Sequence, residues 1–111
     1  METVVVVNSD EMGHGDAALG ARLLGSLLRT FSSVDPKPGA VVFYNGAVRV
    51  LAQGSPLLTE LNELHGHGVD LLACVTCLEH FRLADRLAVG QVSNMREIAT
   101  RLMRAAKVVT V

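Results

Sequence analysis

The chain has 111 residues, half of them apolar and 4% aromatic, with a net charge of −1. That length fits one domain, expected to span residues 1–111, and so small a charge gives no electrostatic footprint for nucleic acid. No apolar run approaches the roughly 20 residues needed to cross a bilayer, and Val4-Val5-Val6-Val7 is too short and lacks the cationic lead-in of a signal peptide. The protein is therefore expected to be soluble and cytoplasmic, with no membrane partner.

Residues 3–7 are a β-branched run that predicts a buried strand. A polar loop with two glycines follows, Asn8-Ser9-Asp10-Glu11-Met12-Gly13-His14-Gly15, and Asp16 is placed to cap a helix. Leu19, Leu23, Leu27 and Phe31, with Leu24 and Leu28 beside them, predict one wide apolar helix face. After the loop Asp35-Pro36-Lys37-Pro38-Gly39, residues 40–44 predict a second strand closed by Asn45-Gly46, and an ambiguous segment runs on to Gln53. Ser55 as cap and Pro56 at the first helical position open a second helix, with Leu57, Leu58, Leu61 and Leu64 inward and Gly66 and Gly68 at its end.

Residues 69–73 predict the third strand, residues 77–84 a helix, and Leu87-Ala88-Val89 a short fourth strand. Ser93 or Asn94 caps a last helix with Met95, Ile98, Ala99 and Leu102 inward, and residues 107–111 close as a strand. No repeat, long linker or low-complexity segment interrupts this alternation. It predicts one three-layer α/β domain, a central and mostly parallel sheet of about five strands with helices on both faces. Sites in such sheets form beyond the carboxyl ends of the strands. Three loops should gather there: residues 9–15, Asn45-Gly46 and residues 74–77.

The only two cysteines, Cys74 and Cys77, lie in Leu71-Leu72-Ala73-Cys74-Val75-Thr76-Cys77-Leu78, where a strand should end and a helix begin. Free N–H groups and the helix dipole at such a corner favour thiolate over thiol, so Cys74 is expected to be accessible and readily ionised. Two cysteines do not make a disulfide scaffold, and a close pair in a reducing compartment points to redox, persulfide or metal chemistry. Two buried, inert thiols are the plain alternative. Dithiol chemistry fits the spacing, although no aromatic or proline of the thioredoxin type flanks the pair.

His65 and His67 resemble the other half of a zinc site. They precede the third strand, whereas the cysteines follow it, and five strand residues separate the two ends by roughly 16 Å. His14 and His80 lie on the correct edge, so His14 is a candidate proton donor or thiolate partner. Asp10 is a candidate for shaping its loop. The chain is acidic up to residue 79, with four Lys/Arg against nine Asp/Glu, and basic after it, with six against two. Arg82 and Arg86 thus follow the cysteines and add positive potential there, unless they only solvate a helix face.

Together these residues resemble a known family. Asn8-Ser9-Asp10-Glu11-Met12-Gly13-His14-Gly15-Asp16, Leu19-Gly20 and Leu23-Leu24 resemble the opening of the DsrE-like domain of YedF-type proteins. Phe43-Tyr44-Asn45, Gly54-Ser55, Cys74-Val75-Thr76-Cys77-Leu78, Leu87-Ala88-Val89-Gly90 and Ser93-Asn94-Met95 resemble its later landmarks, in order. The resemblance implies the DsrE/DsrF-like fold, homo-oligomers, and sulfur carried as a cysteine persulfide in a relay associated with selenium metabolism. It maps the sulfur-carrying cysteine onto Cys74 and makes Cys77 the additional one. Asn45, Asp10, His14 and Arg82 are the expected supporting residues. The implied partners are sulfur-donor and acceptor proteins, a TusA-like carrier among them. YedF-type proteins usually carry a TusA-like domain ahead of this one; here Met1 runs straight into the first strand, so that carrier is expected on a separate chain, if anywhere. Val75 stands where a glycine is often found, which narrows the backbone options between the sulfurs. No organic cofactor and no metal is implied, and the protein is an enzyme only in the sense of group transfer. A non-catalytic, partner-docking module and a dithiol redox protein are the other classes the sequence permits.

Overall fold

The computed structural model describes residues 2–111. Five strands, β1 (Thr3–Val7), β2 (Ala40–Phe43), β3 (Asp70–Cys74), β4 (Gln91–Ser93) and β5 (Lys107–Thr110), form one sheet in the order β4-β3-β2-β1-β5. Every pairing is parallel, with Val7 beside Phe43, Phe43 beside Ala73 and Cys74 beside Ser93. Four helices connect the strands: α1 (Ala17–Phe31), α2 (Leu58–Gly66), α3 (Val75–His80) and α4 (Met95–Arg104).

Alternation along the strands divides the core in two. Val5, Val7, Val41, Phe43, Leu71 and Ala73 face one side, where they pack on Leu24 and Leu28 of α1, Leu61 and Leu64 of α2 and Leu78 of α3. Val4, Ala40, Val42, Leu72 and Cys74 face the other, where Ile98 of α4 covers them with Leu102 and Ala105 at its flank. The expected three layers are present, but unequal: three helices cover one face and a single ten-residue helix the other. Arg101 fixes that lone helix by reaching Glu2 with Nε at 2.8 Å and Nη2 at 3.0 Å, and Asp70 at 3.2 Å.

Sequence logic holds at the caps. Asp16 accepts from the Leu19 N–H at 2.8 Å and Asn94 from the Glu97 N–H at 2.9 Å, each satisfying an otherwise unpaired donor. Elsewhere tertiary packing overrides the pattern. The wide face expected of α1 splits: Leu24 and Leu28 are buried, whereas Leu19 and Leu23 are 51% and 45% exposed. Four-residue spacing drifts round a helix of 3.6 residues per turn, so the two leucine rows part. The segment after β2 is a 3-10 turn, Asn45–Leu51, whose Ala47, Val48 and Leu51 are fully buried.

Ser55 does not cap α2. Its Oγ accepts from the Leu57 N–H in a local turn, and the helix starts at Leu58. The expected helix over 77–84 is instead α3, six residues beginning directly after Cys74 and closed by Arg82 at φ +58°. Leu87-Ala88-Val89 is not the fourth strand. Leu87 forms a lone antiparallel bridge with Ala52, and pairing with β3 begins only after Gly90, whose φ of +86° turns the chain against the Leu71 carbonyl. On α4, Met95 and Ala99 face outward instead of inward.

Candidate functional site

The chain leaves β3 into α3 on the crowded face and leaves β4 into α4 on the other. Neighbouring strands whose connections diverge in this way open a crevice at their carboxyl ends. Cys74 ends β3 at that point and its register partner Ser93 ends β4. Alternation decides the fate of Cys74. It points to the α4 side with Leu72 and Val42, is 1% exposed, and packs in that core cluster. The expectation of an accessible Cys74 is therefore corrected: the last strand residue is under α4, not on the rim.

Cys77 lies one helical turn further on and is partly exposed. It touches both core clusters and lines an open cavity of about 260 Å³ with Asn45, Thr76, His80 and Phe81. The Asn45 N–H donates to Cys77 Sγ at 3.0 Å. Asn45 holds that N–H in place from a left-handed conformation, φ +54°, which asparagine adopts more readily than most residues. Burial pushes the Cys77 thiol above its ordinary value; the Asn45 N–H opposes this, and the neighbouring Cys74 adds to the rise. The corner thus does not make Cys77 a readily ionised sulfur. A six-residue helix that begins before Cys77 has little dipole to offset desolvation.

The expected supporting residues part company. Asn45 joins Cys77 at the cavity. His14 is exposed in the β1–α1 loop and does not line it; Arg82 is exposed and ends α3. Asp10 lines a different cavity, because residues 11–12 fold back onto α1 at Gly20, where a Cβ would sit 2.7 Å from Glu11 Cβ. The cation beside the cavity is Arg49, whose guanidinium carbon lies 4.5 Å above the Phe81 ring. Next to Cys74, Ser93 is buried and its hydroxyl donates to a Glu97 carboxylate oxygen. Sequence reading missed Phe81, Arg49 and this Ser93–Glu97 pair. Two signals mark all but Arg49: Asn94 with Glu97 is a capping pattern, and Cys77, His80 and Phe81 share one helix face. Among the described residues, no group of three or more His, Cys, Asp or Glu side chains converges to hold a metal ion, and no helix is long and apolar enough to cross a membrane.

An all-parallel α/β sheet with a strand–helix cysteine pair at its divergence point defines the class. The DsrE/DsrF-like family model matches residues 1–111, and the chain belongs to that family. Three solved structures share the fold. MTH1491 of Methanobacterium thermoautotrophicum, a protein of unknown function, is 24% identical with a TM-score of 0.73, over 98% of this chain and 97% of that one. The ychN protein of E. coli is 21% identical with a TM-score of 0.71 over 100% of both. BT1422 of Bacteroides thetaiotaomicron, a conserved protein of unknown function, is 15% identical with a TM-score of 0.70, over 99% and 95%. No curated protein matches the chain.

Proposed function

We propose that the protein is a sulfur carrier of the YedF-like, sulfurtransferase-like kind, with Cys77 as the outer sulfur and Cys74 as the inner one. The observation that supports this reading is the contrast between the two: Cys77 borders an open cavity with an N–H donor on its sulfur, and Cys74 is buried directly behind it. Because burial disfavours the thiolate, the thiol proton has to leave as the donor docks, and His80 on the same cavity wall is the base within the site. The Cys77 thiolate attacks the outer sulfur of a donor persulfide, R–S–SH, forming Cys77–S–SH and releasing R–S⁻. An acceptor thiolate then attacks the outer sulfur and regenerates Cys77–S⁻. The Asn45 N–H stabilises the anion at both stages.

The nearness of the two cysteines, three positions apart and in one core cluster, supports a second outcome at the same site. Cys74 as thiolate attacks the inner sulfur of Cys77–S–SH, expels HS⁻ and leaves a Cys74–Cys77 disulfide, which a dithiol reductant reopens. Donor and acceptor are cytoplasmic sulfur-relay proteins, a TusA-like carrier among them, and selenium is an alternative cargo. The thinly covered face around α4, where Met95 and Met103 are 58% and 86% exposed, is the surface for a homo-oligomer.

The test is intact mass after the reduced protein meets glutathione persulfide, followed by addition of an acceptor thiol. A one-sulfur adduct that persists in Cys74→Ser, is lost in Cys77→Ser, and passes to the acceptor is the expected result. No adduct on any variant would falsify the carrier reading and leave a docking module.

A further inference from the structure

A second cavity, larger than the one at Cys77, has no part in the sulfur chemistry. It measures about 350 Å³ and lies among the β1–α1 loop, α1, the 3-10 turn and the segment before α2. That volume is within the roughly 300–1,000 Å³ of small-molecule sites. Ala21, Val50, Pro56 and Leu57 make its walls apolar. A shallower depression of about 230 Å³ runs on from it between α1 and α2, sharing Ala21, Arg22, Pro56 and Leu57 but adding Arg29 and Glu60, so an aliphatic body is confined to the first cavity.

The polar groups of the cavity are few and of one dominant sign. Arg22 and Arg49 line it with a single carboxylate, Asp10. Neither arginine is in an ion pair among the described residues, whereas Arg101 is held by two carboxylates and Lys37 by Asp35. Arg49 is exposed but lies against two neighbours. It crosses Gly46, where a Cβ would lie 3.1 Å from its Nη2, and stacks on Phe81. Its guanidinium is therefore pre-positioned, with its N–H donors unused by any carboxylate. Ser55 Oγ accepts from the Leu57 N–H, which leaves its hydroxyl proton to donate. Two cations, one anion and one hydroxyl donor on an apolar enclosure complement a single negative charge on a hydrophobic body.

We propose that this cavity binds a small organic monocarboxylate with an aliphatic body, its carboxylate held by Arg22, Arg49 and the Ser55 hydroxyl. A dianionic phosphate would exceed the charge the lining supplies, and an ammonium compound would meet two arginines. No cysteine lines the cavity, and its one link to the Cys77 cavity is Arg49, which lies over Phe81 on that cavity's wall.

Titration of the full chain with sodium octanoate, octylammonium chloride and inorganic phosphate, followed by amide chemical shifts, tests the assignment. Octanoate is expected to saturate, to shift the amides of Arg22, Arg49, Val50 and Leu57, and to bind at least tenfold more tightly than octylammonium or phosphate. Arg22→Gln with Arg49→Gln should weaken octanoate at least tenfold, and Ala21→Phe, which fills the cavity from an exposed helix position, should abolish saturation with both arginines intact. Equal binding of the amine, tighter binding of phosphate, unchanged octanoate binding in the double variant, or no saturable binding to the wild type each overturns it.

Discussion

The two faces of the sheet are built from the same strands yet differ in how they are covered, and the cysteines divide along that difference. On the crowded face, α1, α2, α3 and the 3-10 turn bury Phe43, Leu61, Leu64 and Leu78 completely. On the other, α4 contributes one fully buried side chain, Ile98, with Leu102 and Ala105 half-covered. Cys74 belongs wholly to the thin face, whereas Cys77 sits where the two faces meet. Accessibility of a sulfur at a strand–helix corner is therefore set by strand parity and by which side receives the helix, not by the corner itself. One residue of the pair is structural in its surroundings and the other faces a cavity, although three positions separate them.

This contrast is sharpened first by core truncation. Phe43→Ala on the crowded face is expected to cost about 3–5 kcal/mol, and Ile98→Ala on the thin face about 2 kcal/mol, because half-exposed neighbours can collapse into the space. Urea denaturation measures both. The Ile98→Ala loss is that of the single chain; a loss that climbs toward that of Phe43→Ala as protein concentration rises is what the homo-oligomer proposed for the α4 face would add. Next in size is the clamp on α4: Arg101→Ala should lose about 1–2 kcal/mol, with Arg101→Lys recovering less than half, since lysine cannot pair with Glu2 through two nitrogens. Full rescue by lysine would show that charge alone holds the helix. Removing the cap of the same helix, Asn94→Ala, should cost about 1 kcal/mol.

The smallest effect concerns the thiol itself. Folding raises the Cys77 pKa from 9.0, so the folded state favours the protonated thiol. That contribution is complete below the thiol pKa of the unfolded chain and disappears as pH rises through the higher folded value. Wild-type stability should accordingly decline more between about pH 9 and 11 than that of Cys77→Ser. Cys74→Ala removes a group that raises the Cys77 pKa, and should accelerate Cys77 alkylation a few-fold at neutral pH. Slower alkylation in that variant would reverse the assigned sign.

Much of this arrangement was legible in the amino-acid pattern. The β-branched run at Val4–Val7, the Asp16 and Asn94 caps and the alternation of strands with helices carry local, self-contained signals, and they place β1, α1, α4 and the parallel sheet. The Asn45 turn and the cysteine corner were also found to converge. What the pattern could not carry is direction. Leu19 and Leu24 look equally apolar in sequence, and which of the two leucine rows meets the sheet is settled only when α1 docks on it. Leu87-Ala88-Val89 has strand propensity, but Gly90 pressed against Leu71 decides where pairing starts. Cys74 looked like a rim residue because its burial depends on α4, a helix twenty residues further along that crosses to the opposite face. Asp10 and Arg49 lie far from their eventual neighbours in sequence, so no spacing links them.

The inner and outer placement of the two sulfurs is tested most directly by time-resolved alkylation of the fully reduced native protein with iodoacetamide, read by peptide mapping. Cys77 should be modified at least tenfold faster than Cys74, with Cys74 reacting only on unfolding. Modification of Cys74 at an equal or greater rate in the folded protein would contradict the account and return the carrier role to the strand-end cysteine.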